Sequence, residues 1–362
     1  MIVKNEEETL ARVLADASTF CDEVVVCDTG STDRTREIAQ EAGARIVEFP
    51  WIDDFAAARN ASLDACTGEW VLWLDADDRV RPAAQAAFAE VIRGLGDDVD
   101  AIASPYHVEF DERDQGAFVV PRERLFRRDL GVRWEGAIHE GVNLTGRRVR
   151  YEPRLVVEHH KTPRQVERDN DRNLLIIERL LAAGDRGPYT LLQHAQELTR
   201  HQRFDEALTS FDAHLACDIP PDHRYDALIH RCRLLTTLGR VDEARASALD
   251  AVRIQPRQPE GWMAAGMTYY DEQDFAAAAP FFAAATQATR RPGSAMVPTF
   301  EPHYSWAPWD YLSVCQGISG HYREAIKSAE RALPDNPRAD LVKRNIQTWR
   351  AQVSAKSKRG RR

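Results

Sequence analysis

Residues 70–78 read WVLWLDADD, an apolar run that ends in a cluster of acids. Five consecutive apolar residues have the length of a strand that is covered on both faces. Carboxylates crowded at the end of such a strand repel one another unless a cation or hydrogen-bond donors offset their charge. A hard divalent cation, shared with the phosphates of a nucleotide, suits Asp75 and Asp77 well. An acidic start to the helix that begins at Pro82 is the alternative interpretation.

The residues before this stretch alternate between strand-length apolar runs and helical periods. Strands are predicted at residues 2–3, 23–27, 45–49 and 70–74, with a helix after each of them. This order is typical of a mostly parallel sheet with helices on its faces. Ligands of such sheets bind beyond the carboxyl ends of the strands, where Asp28 and Asp75 stand.

The pattern is looser from residue 82 to residue 187. We predict a helix at 82–95, further strands near 101–110, 118–126 and 154–158, and a charged helical connector that includes 164–181. These elements complete the α/β domain.

A different organisation begins at residue 188. Short polar turns precede four alanines, Ala207, Ala244, Ala278 and Ala325, at intervals of 37, 34 and 47 residues. These intervals are close to the tetratricopeptide period of about 34 residues. The third unit matches the repeat pattern at six positions, namely Trp262, Gly266, Tyr269, Ala278, Phe282 and Ala285.

The interval of 47 residues contains an insertion at about 292–308. It carries four aromatic or imidazole side chains, Phe300, His303, Tyr304 and Trp306. Buried aromatic side chains more often serve packing, which favours a plug folded onto the repeats. A loop that lines a binding groove is the alternative.

The bulk composition fits a soluble protein of two domains. The chain has 362 residues, of which 43% are hydrophobic and 29% charged. The longest apolar run falls short of the roughly 18 residues that span a bilayer, and residues 1–3 lead directly into acids without the apolar core of a signal peptide. We therefore expect a cytoplasmic protein without a membrane partner.

Charge and cysteine content restrict the classes of partner further. The net charge of −9 argues against a surface built broadly for nucleic acid, although a basic tail at 351–362 leaves nucleic acid open. The six cysteines are scattered without a CxxC pair, so we expect buried thiols rather than a metal finger or a disulfide framework.

Four segments together resemble the successive motifs of family 2 glycosyltransferases with the GT-A fold. They are MIVKNEEETLARVL at 1–14, DEVVVCDTGSTDRTREIA at 22–39, WIDDFAAARNASLDACTGEWVLWLDADD at 51–78 and RLFRRDLGVRWEGAIHEGV at 124–142. More narrowly, the chain resembles the bacterial and phage branch in which such a domain is joined to tetratricopeptide repeats.

The resemblance implies a fold class and domain boundaries. We expect an α/β GT-A, Rossmann-like nucleotide-sugar domain at 1–163 and a helical connector at 164–187. An all-α tetratricopeptide domain at 188–350 and a disordered tail at 351–362 would follow.

The resemblance also implies a donor site for a UDP-sugar. The implied donor-binding residues are Val3, Asn5, Glu6, Asp28, Arg59, Asp75, Ala76 and Arg127. For Arg59 the alternative is a role at the start of its helix, and Arg127 is one of three arginines, with Arg124 and Arg128, that could screen the diphosphate. The family's first strand begins before the position of Met1, so the edge of this site is abbreviated or the native start lies upstream.

The metal and the catalytic base follow from the same resemblance. Asp77 and His159 would hold Mn²⁺ or Mg²⁺, although a lone histidine is usually structural. Glu140 would act as the general base, with Glu135 as its rival, and His139 would orient the acceptor or simply pack.

These implications predict an inverting, metal-dependent glycosyltransferase that moves a sugar from a UDP-sugar to an acceptor hydroxyl. Repeats of this type bind extended peptides in a groove, which favours a protein or peptide acceptor. The alternatives are a glycan, lipid or modified nucleic-acid base as acceptor, or a catalytically degenerate scaffold that only binds nucleotides. The sequence leaves the sugar and the oligomeric state open.

Overall fold

The computed structural model describes residues 1–111, 114, 116–169, 171–288 and 298–359. The chain divides into two compact units. The first includes residues 1–110 and 118–179, and the second includes the helices that follow residue 180. The change of unit falls inside the stretch that the sequence predicts to be a connector.

The first unit begins with a layer of parallel strands and alternating helices. Its elements are β1 (Ile2–Val3), α1 (Leu10–Ala17), β2 (Val25–Asp28), α2 (Thr35–Glu41), β3 (Arg45–Glu48) and α3 (Phe55–Asp64). The strand order is β1-β2-β3, and both pairings are parallel. Residues of α1 at helical spacing are buried, so the predicted amphipathic helix faces the core.

A mixed sheet is formed by most of the strands that follow. The next elements along the chain are β4 (Trp70–Leu72), β5 (Asp78–Arg79), α4 (Pro82–Arg93), β6 (Ala101–Phe110), β7 (Gly116–Arg127), β8 (Trp134–Glu135), β9 (Gly141–Val142), β10 (Val149–Tyr151) and β11 (Val157–His159). The path β7-β6-β11-β5 is extended by β10 on β6 and by β4 on β7, while β8 and β9 form a separate two-stranded ladder.

The prediction of one mostly parallel sheet is therefore wrong for β4. This strand pairs antiparallel with β7 instead of joining β1–β3. An apolar run indicates a strand buried on both faces, but it does not encode the direction of the neighbouring strand.

One hydrophobic cluster joins the two layers of the first unit. Val3, Val26, Leu74, Ala76 and Val157 all belong to it. Since these residues lie at or near the ends of their strands, the core brings the strand ends that carry acids to one region of the unit.

Helices account for most of the rest of the chain. They are α5 (Pro163–Asp169), α6 (Arg172–Ala182), α7 (Pro188–Arg200), α8 (Phe204–Leu215), α9 (Pro221–Thr237), α10 (Val241–Ile254), α11 (Pro259–Asp271), α12 (Phe275–Ala285), α13 (Ala307–Ile318), α14 (Tyr322–Ala332) and α15 (Ala339–Arg359). A two-residue strand, Thr299–Phe300, and two short 3-10 helices, Arg128–Leu130 and Glu301–Tyr304, complete the elements.

The helices from α7 to α14 form antiparallel pairs of the tetratricopeptide kind. All four alanines that define the predicted period are fully buried in the second helix of a pair. At Gly266 of α11 an added Cβ atom would lie 2.7 Å from the ring of Phe282 in α12, so only glycine allows this approach. The predicted helical repeats are confirmed.

The C-terminal segment differs from the predicted disordered tail. The last helix continues to Arg359, while residues 360–362 lie outside the described residues. Val342, Ile346 and Trp349 pack against α14 and anchor this helix, and the following residues are mostly good helix formers.

Two further predictions concern particular segments. The first part of the predicted insertion, residues 292–297, also lies outside the described residues. Within the described ranges, every helix is too short or too polar to cross a membrane.

Candidate active site

The acidic cluster forms a closed turn directly after β4. The amide of Asp78 donates to the carbonyl of Asp75 at 3.1 Å. In return, Oδ2 of Asp78 accepts a hydrogen bond from the amide of Asp75 at 2.9 Å. Asp78 therefore fixes the backbone on which Asp75 and Asp77 stand.

The side chain of Asp78 is fully buried and contacts Tyr106 and Arg124. Its Oδ1 accepts from the hydroxyl of Tyr106 at 2.8 Å, and its Oδ2 lies 3.3 Å from Nη1 of Arg124. The Arg124 guanidinium lies between the rings of Trp73 and Tyr106, at 3.7 Å and 4.0 Å from their centroids. This buried cation offsets part of the charge of the cluster.

His159 reaches the same turn from β11, because β11 pairs with β5 and places His159 opposite Asp78. Its Nδ1 lies 2.6 Å from the hydroxyl of Tyr106, 3.3 Å from Oδ1 of Asp78 and 3.4 Å from Oδ1 of Asp77. Its Nε2 makes no hydrogen bond to the described residues. Metal-binding histidines commonly use one ring nitrogen for the ion and the other for such a partner.

Donor atoms for a cation gather at this point. One ligand atom each of Asp75, Asp78 and His159 lies within 4.8 Å of the others. Asp77 extends the group through its 3.4 Å contact with His159. The carboxylate ligands suit Mn²⁺ or Mg²⁺, and the imidazole is a ligand typical of transition metals.

The pKa values of the acids diverge strongly within this turn. Burial raises the pKa of Asp77 to about 6, and the charges of Asp75 and Asp78 add to this despite His159. For Asp75, burial is outweighed by the charges of Arg59 and Arg124, which hold its pKa below the usual range. Asp75 is therefore held as a carboxylate by its cationic neighbours, whereas burial disfavours the charged form of Asp77.

Arg59 of α3 links the acidic turn to the segment of Glu140. Its Nη2 contacts Oδ1 of Asp75 at 2.7 Å, and its Nε forms an ion pair with Oε1 of Glu140. The rings of Trp73 and Trp134 flank the guanidinium at 4.7 Å and 4.9 Å. Because the Arg59 side chain is only 8% exposed, this bridge is held rigidly in the floor of the site.

The loop after β8 places Glu140, and not Glu135, at this site. Asn60 holds the loop through two hydrogen bonds of 3.0 Å to the backbone of Trp134. Gly136 and His139 take positive φ angles of 95° and 50°, which turn the chain back toward α3. Glu135 is exposed, whereas the Glu140 side chain is 8% exposed.

Hydrogen bonds connect the predicted donor-binding residues at the ends of β1 and β2 and in the loops that follow. The carbonyl of Val3 accepts from the amide of Thr29 at 2.9 Å. Oδ1 of Asn5 accepts from the amide of Thr32 at 2.8 Å, and buried Asp28 accepts from the amide of Ser31 at 3.1 Å. These bonds give the two loops at the strand ends a fixed relative position.

A cavity of about 240 Å³ lies beside the first loop. It is lined by Asn5, Glu6, Glu8, Thr162, Arg164 and Gln165. Inside it, Oε2 of Glu6 accepts from Nε2 of Gln165 at 2.5 Å. Asn5 and Glu6 are predicted donor-binding residues, whereas Thr162 and Gln165 stand in a stretch without a recognisable motif.

Arg127 does not reach the acidic turn. It stands opposite Trp70, at the far end of β4 from Asp75. Its guanidinium contacts Glu69 at 2.7 Å and Asp97 at 3.1 Å. Among the three arginines considered for the diphosphate, Arg124 is the one that the fold brings to the acids.

Tyr106 contacts the acidic turn but was not predicted from the sequence as a site residue. It joins Asp78 and His159 through one hydroxyl group. It lies in β6 among apolar residues, where a tyrosine is ordinarily a packing residue. The alternation of β6 contains no signal for its polar contacts.

The first unit thus combines an α/β fold with carboxylates at strand ends, a nearby histidine and a buried arginine. Residues 1–148 match the family described as Glycosyl transferase family 2. This match covers most of the first unit, and helical repeats of the tetratricopeptide type follow it.

Curated relatives match a stretch of similar length. A "TPR repeat-containing protein" of Synechococcus elongatus is 42% identical over 144 residues, which are 40% of this chain and 34% of the relative. The "SPbeta prophage-derived glycosyltransferase SunS" of Bacillus subtilis is 30% identical over 149 residues, 39% of this chain and 33% of the relative. The chain thus spans about a third of the length of these relatives.

Solved structures resemble the repeats at low identity. One is the C-terminal part of a TPR repeat-containing protein from Cytophaga hutchinsonii, with a TM-score of 0.42 at 15% identity over 54% of this chain and 73% of that chain. Another is MamA, with a TM-score of 0.38 at 14% identity over 47% of this chain and 84% of that chain.

Proposed function

We propose that this protein transfers a sugar from a UDP-sugar to an acceptor hydroxyl with inversion at the anomeric carbon. The observation that carries the proposal is the meeting of His159 with the Asp75–Asp78 turn, 81 residues away in the chain. The family of the N-terminal domain supports sugar transfer as the reaction.

A divalent ion fits the donor atoms of the turn. Both oxygens of Asp78 already accept hydrogen bonds, and its side chain is fully buried, which leaves it a supporting role. Asp77 and His159 are then the proposed ligands, since Oδ1 of Asp77 lies beside the His159 ring and Nε2 of that ring makes no hydrogen bond to the described residues. The bound ion would supply positive charge beside the departing diphosphate.

The donor is proposed to lie across the strand ends of the first unit. Asp28, Asn5, Glu6 and the backbone of Val3 would face the nucleoside, as their fixed mutual arrangement allows. Asp75, Ala76 and Arg59 would lie toward the ribose and diphosphate. Arg127 is left out of this set because its contacts lie at the other end of β4.

Glu140 is the proposed general base, with His139 beside it to orient the acceptor. The carboxylate would take the proton of the acceptor hydroxyl while the oxygen attacks the anomeric carbon, and UDP would leave with the electron pair of the broken C–O bond. The Glu140 oxygen that contacts Arg59 must first become available. The donor diphosphate can compete for Arg59, which would couple donor binding to release of the base.

A protein or peptide acceptor is proposed on the basis of the repeats. Successive helix pairs present a continuous face, and surfaces of this kind commonly hold extended chains. Intact-mass measurement of candidate proteins after reaction would reveal an added sugar and decide between polypeptide and other acceptors.

Calorimetric titration of UDP with and without Mn²⁺ tests the nucleotide and metal parts together. We expect Mn²⁺ to raise UDP affinity at least tenfold in the wild type and to lose this effect in Asp77→Asn. Asp129→Asn, at an exposed position, is the matched control. Equal affinity with and without Mn²⁺ in the wild type would favour a degenerate nucleotide-binding scaffold instead.

A further inference from the structure

A buried carboxylate stands on α11 within the repeats. Glu260 is 6% exposed and pairs with no lysine or arginine of the described residues. Its Oε2 lies 3.3 Å from the hydroxyl of Tyr225 in α9, the first helix of the preceding pair. Carboxylates are rarely buried without a cation. The groups that make hydrogen bonds to Glu260 therefore indicate which kind of ligand this surface can bind.

Those other groups belong to residues 300–304. The amide of Phe300 donates to Oε1 of Glu260 at 3.4 Å. The hydroxyl of Tyr304 donates to Oε1 of Gln258 at 2.5 Å and lies 3.4 Å from Oε2 of Glu260. A backbone amide at the end of the short strand Thr299–Phe300 and a tyrosine hydroxyl at the end of the 3-10 turn Glu301–Tyr304 thus make hydrogen bonds to residues of α11 and to Gln258 before it.

This docking leaves one buried polar atom unsatisfied. Nδ1 of His303 has no hydrogen-bond partner among the described residues, and its ring packs edge-on against Phe300 at 4.7 Å. Burial, and then the charge of Arg233 in α9, lower the pKa of His303 to about 3. An unsatisfied buried nitrogen weakens the attachment of the segment relative to that of the helices.

We propose that residues 300–304 are an internal ligand that occupies the face of α9 and α11. An extended peptide carrying a tyrosine takes the same place when the segment detaches, with its hydroxyl on Gln258 and Glu260. This inference deepens the proposed function, since it rests on the repeats as the surface for a polypeptide. Tethering gives the segment a high effective concentration, so it acts as an autoinhibitory contact until a tighter peptide displaces it.

Hydrogen–deuterium exchange of the full chain tests the attachment. In Glu260→Ala we expect the amides of residues 300–304 to exchange at least tenfold faster, while the amides of α9 and α11 stay protected. Glu260→Gln, which keeps an oxygen acceptor for the amide of Phe300, should exchange like the wild type. Unchanged exchange of the segment in Glu260→Ala, or equal loss of protection in α11, would overturn the proposal.

A labelled peptide of residues 298–305 tests the vacated surface in trans. Tyr304→Ala should bind this peptide at least tenfold tighter than the wild type does, and adding Glu260→Ala should remove the gain. Equal binding to the wild type and to Tyr304→Ala would contradict an internal ligand. Neither measurement depends on sugar transfer, so a failure here is distinct from a failure of the proposed reaction.

Discussion

Arg59 and Glu140, 81 residues apart in the chain, form an ion pair in which both side chains are only 8% exposed. The other arm of Arg59 reaches Asp75 at 2.7 Å. One guanidinium therefore connects the acid at the end of β4 with the proposed base. Its delocalised fork can bind two carboxylates at once, which a lysine ammonium does less well.

Replacing Arg59 should cost both stability and activity. In Arg59→Ala the Glu140 carboxylate stays buried without its partner, which is expected to lower the free energy of unfolding by about 3 kcal/mol or more. Arg59→Lys keeps the charge and should recover part of this loss. Urea denaturation of the three proteins measures the difference.

The matched control for Arg59 is an exposed pair. Arg34 and Glu37 are 65% and 64% exposed, so Arg34→Ala should leave the free energy of unfolding nearly unchanged. If Arg59→Ala behaved like Arg34→Ala, the bridge would not organise the site.

Replacing Asp77 and Asp78 by asparagine should change the stability of the protein in opposite directions. The raised pKa of Asp77, about 6 against 3.8, means that the folded protein holds this proton more tightly than the unfolded chain does. Stability is then lost as the pH rises from about 4 to 6, and the metal-free Asp77→Asn protein should gain roughly 1–2 kcal/mol at pH 7. Thermal unfolding at pH 7 without metal measures this.

Asp78→Asn should instead destabilise the protein by about 3 kcal/mol or more, because it leaves the buried Arg124 cation without its carboxylate. Added Mn²⁺ should raise the melting temperature of the wild type but not of Asp77→Asn. Destabilisation by both substitutions would contradict the separate roles of Asp77 as ligand and Asp78 as support.

The pH dependence of the repeats should be governed in part by Glu260. Burial raises its pKa above 4.5, although hydrogen bonds from the backbone, Tyr225 and Tyr304 oppose the shift. The folded state therefore binds this proton more tightly, and its stabilising contribution is present below pH 4.5 and lost as the pH rises through the raised value. His303 belongs to the segment of residues 300–304 that contacts Glu260, and the positive charge of Arg233 acts on it.

Glu260→Gln removes this titration, so its stability relative to the wild type should increase from pH 4.5 to pH 8. Unfolding curves at several pH values measure the difference. A difference that stays constant over this range would show that Glu260 does not titrate on folding.

Close packing of the repeats makes a further prediction at Gly266. A methyl group there would lie 2.7 Å from the ring of Phe282, which is fully buried and has no room to move. Gly266→Ala should lower the free energy of unfolding by about 1–3 kcal/mol. In the control Gly94→Ala, the nearest atoms lie at an ordinary 3.6 Å, and a small effect is expected on urea denaturation.

Local patterns predicted the elements well because each depends on nearby residues. The apolar period of α1, the run at β4 and the alanine spacing of the repeats all have a local physical cause. The turn of Asp75 to Asp78 was predicted as the centre of the site for the same reason, since charge repulsion at a strand end is visible in the sequence.

The connections between distant residues could not be predicted in this way. Nothing near Tyr106 indicates that its hydroxyl joins His159 to Asp78, because that contact depends on how β5, β6 and β11 pair. The antiparallel pairing of β4 with β7 likewise places Arg127 away from the acids and Arg124 beneath them. Strand direction is a property of the whole sheet.

The most direct test of the central claim is nucleotide release from a panel of UDP-sugars, with and without Mn²⁺ or Mg²⁺. We expect release that requires the metal, falls at least 100-fold in Asp77→Asn and in Glu140→Gln, and is unchanged in Asp129→Asn. Full, metal-independent release by Asp77→Asn would contradict it.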